Sequence, residues 1–284
     1  MLENTPSVKV DGQGNITIRG NSALILVDGK PYGGQRSSAD VLSLIPANTI
    51  NKVEVISQSA KYDAEGGGAI LNIILKKRAT EGYNGIVEAH VGMPDNDGRS
   101  TFVNYKTDKI NMYSTVSFNH LVRIKDTEIR QIFLDDMQEP TGNFDQKRSD
   151  YRQRNSFLIN LGSDFYLDEN NTLTSSILFT NSNKNYDSEL FLNDYQPIDE
   201  LLKSSLRKVD DNSDEGYLEA YFQYTTKFDK EGHQLSADIK YDNSLADNET
   251  EILNTETFPG DELTEQKYVK DESVDNFYVK ADYT

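Results

Sequence analysis

The feature that most constrains the fold is an alternation of apolar and polar residues that starts near Gly82 and continues to Tyr283. In the clearest stretch, 110–124, most even positions are apolar and most of their neighbours are polar or amphipathic; the apolar set is Ile110, Met112, Val116, Phe118, Val122 and Ile124. The same pattern recurs over 155–167, 217–228, 235–242 and 276–283. Because successive side chains of a β-strand point to opposite faces, it predicts strands with one apolar and one wet face.

The connections between these segments differ in length. Three are short and polar, at 108–109, 168–171 and 229–232. The others are hydrophilic and long, and we expect loops at 125–150, 183–214 and 244–273. Short turns at one end and long loops at the other are typical of outer-membrane β-barrels, whereas soluble sandwiches keep their connections short. The pattern predicts about eight antiparallel strands, near 83–93, 100–107, 110–125, 152–167, 172–185, 216–229, 233–247 and 273–284.

The first 80 residues follow a different pattern, that of mixed α/β structure. Two short alternating runs flank Asp11–Gly14, which predicts a hairpin. A short helix is expected over 37–45, where Pro46 follows its end. Apolar runs of the kind found in buried strands lie at 23–27, 50–57 and 69–77. We therefore expect a small mixed α/β domain over 1–80 and a domain of strands alone over 81–284.

Composition excludes several classes of function. The chain has 284 residues and no cysteine, which rules out disulfides and thiolate metal sites. No apolar run approaches the roughly 20 residues of a transmembrane helix. A formal net charge of -18 argues against nucleic-acid binding, since phosphates select for basic surfaces. The charge suits either simple solubility or acidic loops that attract cations.

Motifs in the first 80 residues carry a family resemblance. In order, the chain reads ITIRG, LILVDGKPY, INKVEVIS, a tyrosine with small residues in AKYDAEGGG, and then AILNIILKK. This order and spacing resemble the plug domain of TonB-dependent outer-membrane receptors, most closely the Bacteroidetes type with an outer-membrane β-barrel domain. The resemblance is specific over about residues 5–80, whereas for the remainder it rests mainly on the alternation.

The resemblance implies energised uptake of a scarce solute (a siderophore, cobalamin, glycan or peptide) through the outer membrane of a Gram-negative bacterium. It implies a transmembrane barrel that closes with about 22 strands. With about eight of them in this chain, we expect a fragment that lacks both ends. The missing N-terminal segment would contact the TonB energy-coupling complex. The other expected partners are outer-membrane lipid and a small solute or surface lipoprotein; neither nucleic acid nor a cofactor is expected.

The resemblance also implies roles for single residues. Arg19 and Glu54 match plug motifs whose charges pair with barrel-wall carboxylates and anchor the plug; otherwise each is a solvated surface charge. Asp28 and Gly29 would form an apical turn that faces the solute, although plain turn chemistry explains them as well. The residues that follow this turn and could touch the solute are Tyr32, Gln35 and Arg36.

Three consecutive glycines, Gly66, Gly67 and Gly68, precede the last apolar run of the first domain. Glycine permits a sharp turn and a close approach of backbones where a Cβ would clash. The functional interpretation is a flexible turn that lets the plug pack tightly and still rearrange. The simpler alternative is a plain loop. The sequence around the glycines matches neither phosphate-binding motif, G-x-G-x-x-G or G-K-[ST].

No enzyme site emerges from the sequence. His90, His120 and His233 lie on separate expected strands, without metal-ligand partners at close spacing. The stretch 95–98 resembles the start of a calcium loop, but Lys106 stands where the closing Glu is needed, and a hairpin turn explains it better. We expect neither catalytic nor metal-binding residues. Two alternatives to transport stay open: a passive outer-membrane barrel with an adhesin or structural role, and a soluble β-rich binding domain.

Overall fold

The computed structural model describes residues 8–10, 16–18, 21–27, 30–31, 42, 45, 50–56, 69–75, 81–197, 200–228 and 233–283. These residues are almost entirely β-strand and form three sheets. We call residues 8–75 the N-terminal region and residues 82–283 the large sheet. Within the described part of the chain, no helix has the length and apolar character needed to cross a bilayer.

The described strands of the N-terminal region form two small sheets. The first is antiparallel and follows chain order: β1 (Val8–Val10), β2 (Ile16–Ile18) and β3 (Asn21–Ser22). It confirms the predicted hairpin. The second contains β4 (Leu24–Val27), β5 (Lys30–Pro31), β6 (Ile50–Ile56) and β7 (Ile70–Leu75). Its order is β5-β4-β7-β6, with β4 and β7 parallel and the other pairs antiparallel.

Strand β7 is the centre of this region, because it lies between β4 and β6 and is buried on both faces. On one face it joins a cluster of side chains that are at most 3% exposed: Ile16, Ile18, Ile25, Leu71 and Ile73. On the other face Ile70 packs against Leu26 and Ile56. A strand buried on both faces needs a continuous apolar run rather than an alternation, which accounts for the sequence ILNIIL.

The helix expected over 37–45 falls outside the described residues, apart from Leu42 and Ile45. Both of these side chains pack against the apolar cluster of the N-terminal region. The helix therefore stays a prediction, and so does the mixed α/β class. Among the described residues of this region, Leu42 alone is helical, and the other residues in regular structure belong to β-sheets.

The large sheet is an antiparallel meander in which each strand pairs with its neighbours in sequence. Its eight strands are β8 (Gly82–Gly92), β9 (Asp95–Lys106), β10 (Ile110–Leu134), β11 (Pro140–Tyr166), β12 (Asn171–Gln196), β13 (Glu200–Lys227), β14 (Gln234–Phe258) and β15 (Glu262–Tyr283). Each of the eight expected strands overlaps one of these. The expected total of about 22 strands stays a prediction.

The structure contradicts the long loops expected at 125–150, 183–214 and 244–273. Strands β10 to β14 run through these segments as paired strands of 25 to 28 residues. Polar cross-strand contacts support them; Lys208 Nζ, for example, lies 2.7 Å from Glu189 Oε1. The loop prediction was wrong because both faces are hydrophilic there, so the apolar alternation that indicates a strand is missing.

Short turns at the opposite end of the sheet are confirmed where they are described. Asp168 Oδ1 accepts the backbone N–H groups of Asn170 and Asn171, each at 2.9 Å, and closes the turn between β11 and β12. The side-chain bond from Asn171, followed by the backbone bonds, lowers the pKa of Asp168. The hairpin expected at 95–98 turns slightly earlier, at residues 93–94. The turn expected at 229–232 lies outside the described residues.

Candidate functional site

The two faces of the large sheet have opposite character. On one face the register places Val116, Ile159, Phe179 and Leu218 side by side. We call the apolar side chains of this face the apolar band; in β10 it spans the nine residues from Ile110 to Phe118. Many of its side chains are exposed. The band occupies parts of 110–118, 157–165, 173–179, 218–224, 235–241 and 277–283.

On the opposite face, which we call the polar face, charged side chains are buried against one another at the height of the apolar band. Asp242 is 1% exposed, lies 3.1 Å from Lys240 Nζ and accepts a 2.8 Å hydrogen bond from Asn276. Tyr217 donates a 2.7 Å hydrogen bond to Glu219. Buried charges are tolerated when they are paired and hydrogen-bonded. The polar face is therefore a built polar interior.

Beyond the apolar band, the polar face carries a carboxylate that is saturated with donors. Asp150 Oδ1 accepts hydrogen bonds from Arg148 Nε at 2.7 Å, Tyr186 Oη at 2.8 Å and Ser188 Oγ at 2.8 Å. Burial alone would raise the pKa of Asp150, but the bonds from Ser188, Tyr186 and Arg148 outweigh it and hold the pKa below its usual range. We call these four residues the Asp150 network; it joins β11 to β12.

Three arginines lie on the polar face between the Asp150 network and the apolar band. Arg123 of β10 is directly opposite Arg152 of β11, and Arg154 follows two residues later on the same face. The guanidinium of Arg152 lies 4.7 Å from the centre of the Tyr186 ring. A cavity of about 300 Å³ opens beside them, and its lining includes Arg123, Arg154, Asn119, His90 and, from the N-terminal region, Ile45.

A glycine makes room for two of the polar side chains that line this cavity. A Cβ on Gly98 would collide with the ring of His90 and with the side chain of Asn119. These two side chains therefore occupy the space above Gly98, where any other residue would displace them. Glycine inside a strand commonly marks such a close approach.

Glu54 is the one expected site residue that the structure describes. It lies on β6, with its carboxylate 2.6 Å from Lys52 Nζ, and it accepts a 3.0 Å hydrogen bond from Asn72. The bond from Lys52, followed by that from Asn72, lowers the pKa of Glu54. Both partners belong to the N-terminal region. Anchoring of Glu54 to the large sheet stays a prediction.

The remaining expected site residues fall outside the described residues: Arg19, Asp28, Gly29, Tyr32, Gln35, Arg36, Gly66, Gly67 and Gly68. Their roles as plug anchor, solute-facing turn and flexible turn stay predictions. In the part of the chain that is described, no group of three or more His, Cys, Asp or Glu side chains could hold a metal ion.

Sequence reasoning missed both the Asp150 network and the three arginines. A signal for them was present, because Arg148, Asp150, Arg152 and Arg154 alternate in the sequence RSDYRQR and therefore share one face of a strand. The segment up to residue 150 was expected to be a loop, which hid this periodicity.

Comparison with known proteins gives one family match. Residues 1–70 match the TonB-dependent Receptor Plug Domain. No curated protein matches the chain.

Two solved structures align with the chain. The ferric citrate transporter FecA in the unliganded form aligns with 12% identity and a TM-score of 0.36, over 98% of this chain and 57% of that chain. The pyoverdine outer membrane receptor FpvA from Pseudomonas aeruginosa PAO1, bound to pyoverdine, aligns with 12% identity and a TM-score of 0.40, over 99% and 55%. The chain thus spans somewhat more than half the length of each.

Proposed function

We propose that the chain is part of a TonB-dependent receptor of the Gram-negative outer membrane and that it carries a scarce solute across that membrane; the match of residues 1–70 to the plug domain of these receptors supports the proposal. Such receptors are transporters rather than enzymes. The solute classes in question are siderophores, cobalamin, glycans and peptides. The energy would come from the TonB complex of the inner membrane.

The observation that carries the proposal is the polarity of the large sheet, in which many large apolar side chains are exposed and most of the buried side chains are polar. A tilted β-strand needs 9–11 residues to cross the bilayer core, and the nine-residue apolar band of β10 meets this length. Membrane barrels place apolar residues toward lipid and polar residues toward the lumen. We therefore assign the apolar band to lipid and the polar face to a lumen that holds the plug.

A hollow on the sheet fits this assignment. It measures about 700 Å³ and lies across the apolar band, where Ser163, Ser175 and Ala220 leave a depression between larger side chains such as Met112 and Phe222. The hydroxyls of Ser163 and Ser175 share a hydrogen bond of 2.9 Å, in which one donates and the other accepts. We assign this hollow to lipid chains, and the solute to the polar face.

The domain boundary and the plug residues follow as parts of the same proposal. Residues 1–80 would form the plug and residues 81–284 the first strands of the barrel wall. Arg19 and Glu54 would anchor the plug, and the turn at Asp28 and Gly29 would face the solute. Since the short turns of such barrels are periplasmic, the strand extensions beyond the apolar band would stand on the extracellular side.

Uptake measurements on the complete receptor test the proposal. A strain that lacks the gene would be compared with the same strain carrying it, with the TonB system intact or inactivated. The medium would contain iron-loaded siderophores, cobalamin, oligosaccharides and peptides, and depletion of each would be followed. We expect one class to be depleted only when the gene and the TonB system are both present. Depletion without TonB would instead identify a passive barrel.

A further inference from the structure

We propose that the outer half of β10, residues Arg123–Leu134, accepts an extended segment of a partner protein as an added β-strand. We call this stretch the free edge. The inference goes beyond the proposed function, because it concerns a protein partner and not the imported solute. It starts from the unequal lengths of two neighbouring strands, since β9 has 12 residues and β10 has 25.

On one side, β10 is paired along only half of its length. Its pairing with β9 covers Asn111–Val122 and ends there, because the chain between β8 and β9 turns at residues 93–94. Its pairing with β11 continues to Leu134. The free edge therefore has β11 on one side and no described strand on the other, over a length of about 40 Å.

Further strands of a barrel would pair elsewhere. The large sheet ends at β8 and β15, and these two strands are where a barrel continues. The free edge lies inside the strand order, above a hairpin that already occupies the neighbouring position. The extensions of β11 to β14 are paired on both sides. The free edge thus differs from the other extensions, and in the proposed orientation it faces the extracellular medium.

The backbone groups that point away from β11 belong to even-numbered residues of β10. The N–H of Tyr166 on β11 bonds to the carbonyl of Lys109, whereas the carbonyl of Ile110 accepts from Thr107 on the β9 side. Residues of an antiparallel strand alternate between the two sides, and the register with β11 is regular up to Phe133. The residues that present N–H and C=O groups at the free edge therefore include Ile124, Asp126, Glu128 and Ile132.

The side chains of the free edge also suit strand addition. Ile124 and Ile132 on one face, and Ile129 and Phe133 on the other, are 46–57% exposed. Branched and aromatic side chains of this kind pack against those of a neighbouring strand. Proline and bulges commonly protect the edges of sheets, and neither occurs between residues 123 and 133. The segment is therefore a regular, unprotected edge.

Charge selects one position of the partner. Glu128 already pairs with Lys147 of β11, at 3.3 Å. Lys125 lies opposite Asp150, but that carboxylate is occupied by its own network, and no ion pair joins Lys125 to a described residue. Opposite charges on directly opposed residues stabilise paired strands. The fitting partner is an extended segment with a carboxylate opposite Lys125 and apolar side chains opposite the exposed isoleucines.

Calorimetric titration of the complete receptor in detergent with synthetic peptides tests the proposal. The probe is a peptide as long as the free edge, with valine opposite the isoleucines, glutamate opposite Lys125 and threonine elsewhere. Two further peptides carry N-methyl groups on alternate residues, either on the side that faces β10 or on the side that faces away. Strand addition gains its affinity from backbone hydrogen bonds, which N-methylation removes.

We expect the unmethylated peptide and the peptide methylated on the far side to bind. Methylation on the side that faces β10 should weaken binding by at least about 10-fold, because several hydrogen bonds are lost. Equal affinities of the two methylated peptides would overturn the proposal. So would failure of the unmethylated peptide to bind at millimolar concentration.

Amide hydrogen exchange, read residue by residue, then locates the added strand. Peptide binding should slow exchange at Ile124, Asp126, Glu128 and Ile132 and leave the odd-numbered residues unchanged, since these are already bonded to β11. Slow exchange at the even-numbered residues before peptide is added would mean that the receptor's own chain covers the edge. That result would overturn the proposal.

A proline substitution provides the matched test on the receptor. Glu128→Pro removes an N–H on the free side and no bond to β11, so the receptor should fold and lose about 10-fold or more in peptide affinity. Glu128→Thr also removes the ion pair with Lys147 but keeps the N–H, and it should bind as the parent does. Parent-like affinity in Glu128→Pro, or an equal loss in Glu128→Thr, would contradict the assignment.

These measurements are independent of transport, since binding in detergent needs no TonB. A receptor that binds the peptide but imports nothing would remove the transport proposal and keep the free edge. A receptor that imports a solute but shows no dependence on N-methylation would do the reverse.

Discussion

In the N-terminal region the core is built from apolar side chains of β2, β4 and β7 that are at most 8% exposed, whereas in the large sheet many apolar side chains lie on the exposed face and the buried side chains include many polar ones. Leu71 is fully buried and Ile177 is 53% exposed, although both are aliphatic residues on paired strands. Under the proposed function, the two regions meet different solvents. One hides its apolar surface from water, and the other would present it to lipid.

The comparison also explains the different sequence patterns. A strand enclosed on both faces, such as β7, reads as a continuous apolar run. A strand with lipid on one face and a wet lumen on the other reads as an alternation. Where both faces are mainly hydrophilic, as in the extensions of β10 to β14, neither pattern is present. The loss of stability caused by a substitution should therefore differ between the two regions.

The largest effect is expected in the N-terminal core. Leu71→Ala and Ile177→Ala each remove three carbon atoms. Leu71 lies in the buried cluster, and Ile177 lies in the apolar band. Leu71→Ala should cost about 2–5 kcal/mol, because a cavity adds to the lost transfer free energy. Ile177→Ala should cost only the lost transfer free energy, because lipid chains would fill the space and leave no cavity. Amide hydrogen exchange in lipid vesicles would measure the loss of stability in each variant. Equal losses would contradict the proposed difference between the two regions.

A charge on the apolar band should have the next largest effect. Phe222→Arg places a cation on the lipid face and should cost about 2–4 kcal/mol if the position lies near the bilayer centre. The control is Gln223→Arg on the polar face, where Gln223 donates a 2.7 Å hydrogen bond to Asp238 and an arginine can pair with that carboxylate. Unfolding from vesicles in denaturant gives the stability cost of each substitution. A larger cost for Gln223→Arg than for Phe222→Arg would contradict the assignment of the two faces to lipid and lumen.

The Asp150 network should show a smaller, acid-sensitive effect. Asp150→Asn removes a charged acceptor from three donors and should cost about 1–3 kcal/mol at pH 7. Because the pKa of Asp150 is lowered in the fold, its contribution is complete above the unfolded value of 3.8 and disappears as pH falls through the folded pKa. In denaturant at pH 7, Asp150→Asn should therefore have a lower free energy of unfolding than the parent. This difference in free energy should decrease as the pH falls.

Asp126→Asn is the control for that measurement, since Asp126 lies on the other face of β10 and accepts a 2.8 Å hydrogen bond from exposed Ser149. A gap between Asp150→Asn and the parent that stays constant down to low pH would contradict the role assigned to the ionised carboxylate.

The smallest effect is expected at Asp187, and its sign is opposite. Asp187 lies directly opposite Asp210, and burial followed by the charge of Asp210 raises the pKa of Asp187. An acid with a raised pKa destabilises the fold while ionised, so Asp187→Asn should stabilise the receptor at pH 7 by less than about 1 kcal/mol. The gain should vanish below the unfolded pKa and shrink with salt. A loss of stability at pH 7 would show that the pair is not repulsive.

Strands with at least one face in an apolar environment could be predicted from the sequence. The run in β7 and the alternation in β10 each indicated a strand correctly, because burial in a core or in lipid imposes a readable period. The extensions were not predictable in the same way, since backbone pairing holds them and places no demand on polarity. The candidate site was lost with them: Arg123 and Arg152 become partners through the register of β10 and β11, which sequence alone does not give.

The most direct test of the account is a cysteine scan of β12, which is clean because the chain has no cysteine of its own. Single cysteines from Leu173 to Asp187 would carry a nitroxide label in lipid vesicles, and collisions with oxygen in the lipid and with a nickel complex in water would be measured. We predict a period of two from Leu173 to Phe179, with odd positions facing lipid, and water access at every position beyond Asn181. Water access at both Ile177 and Phe179 would contradict the account.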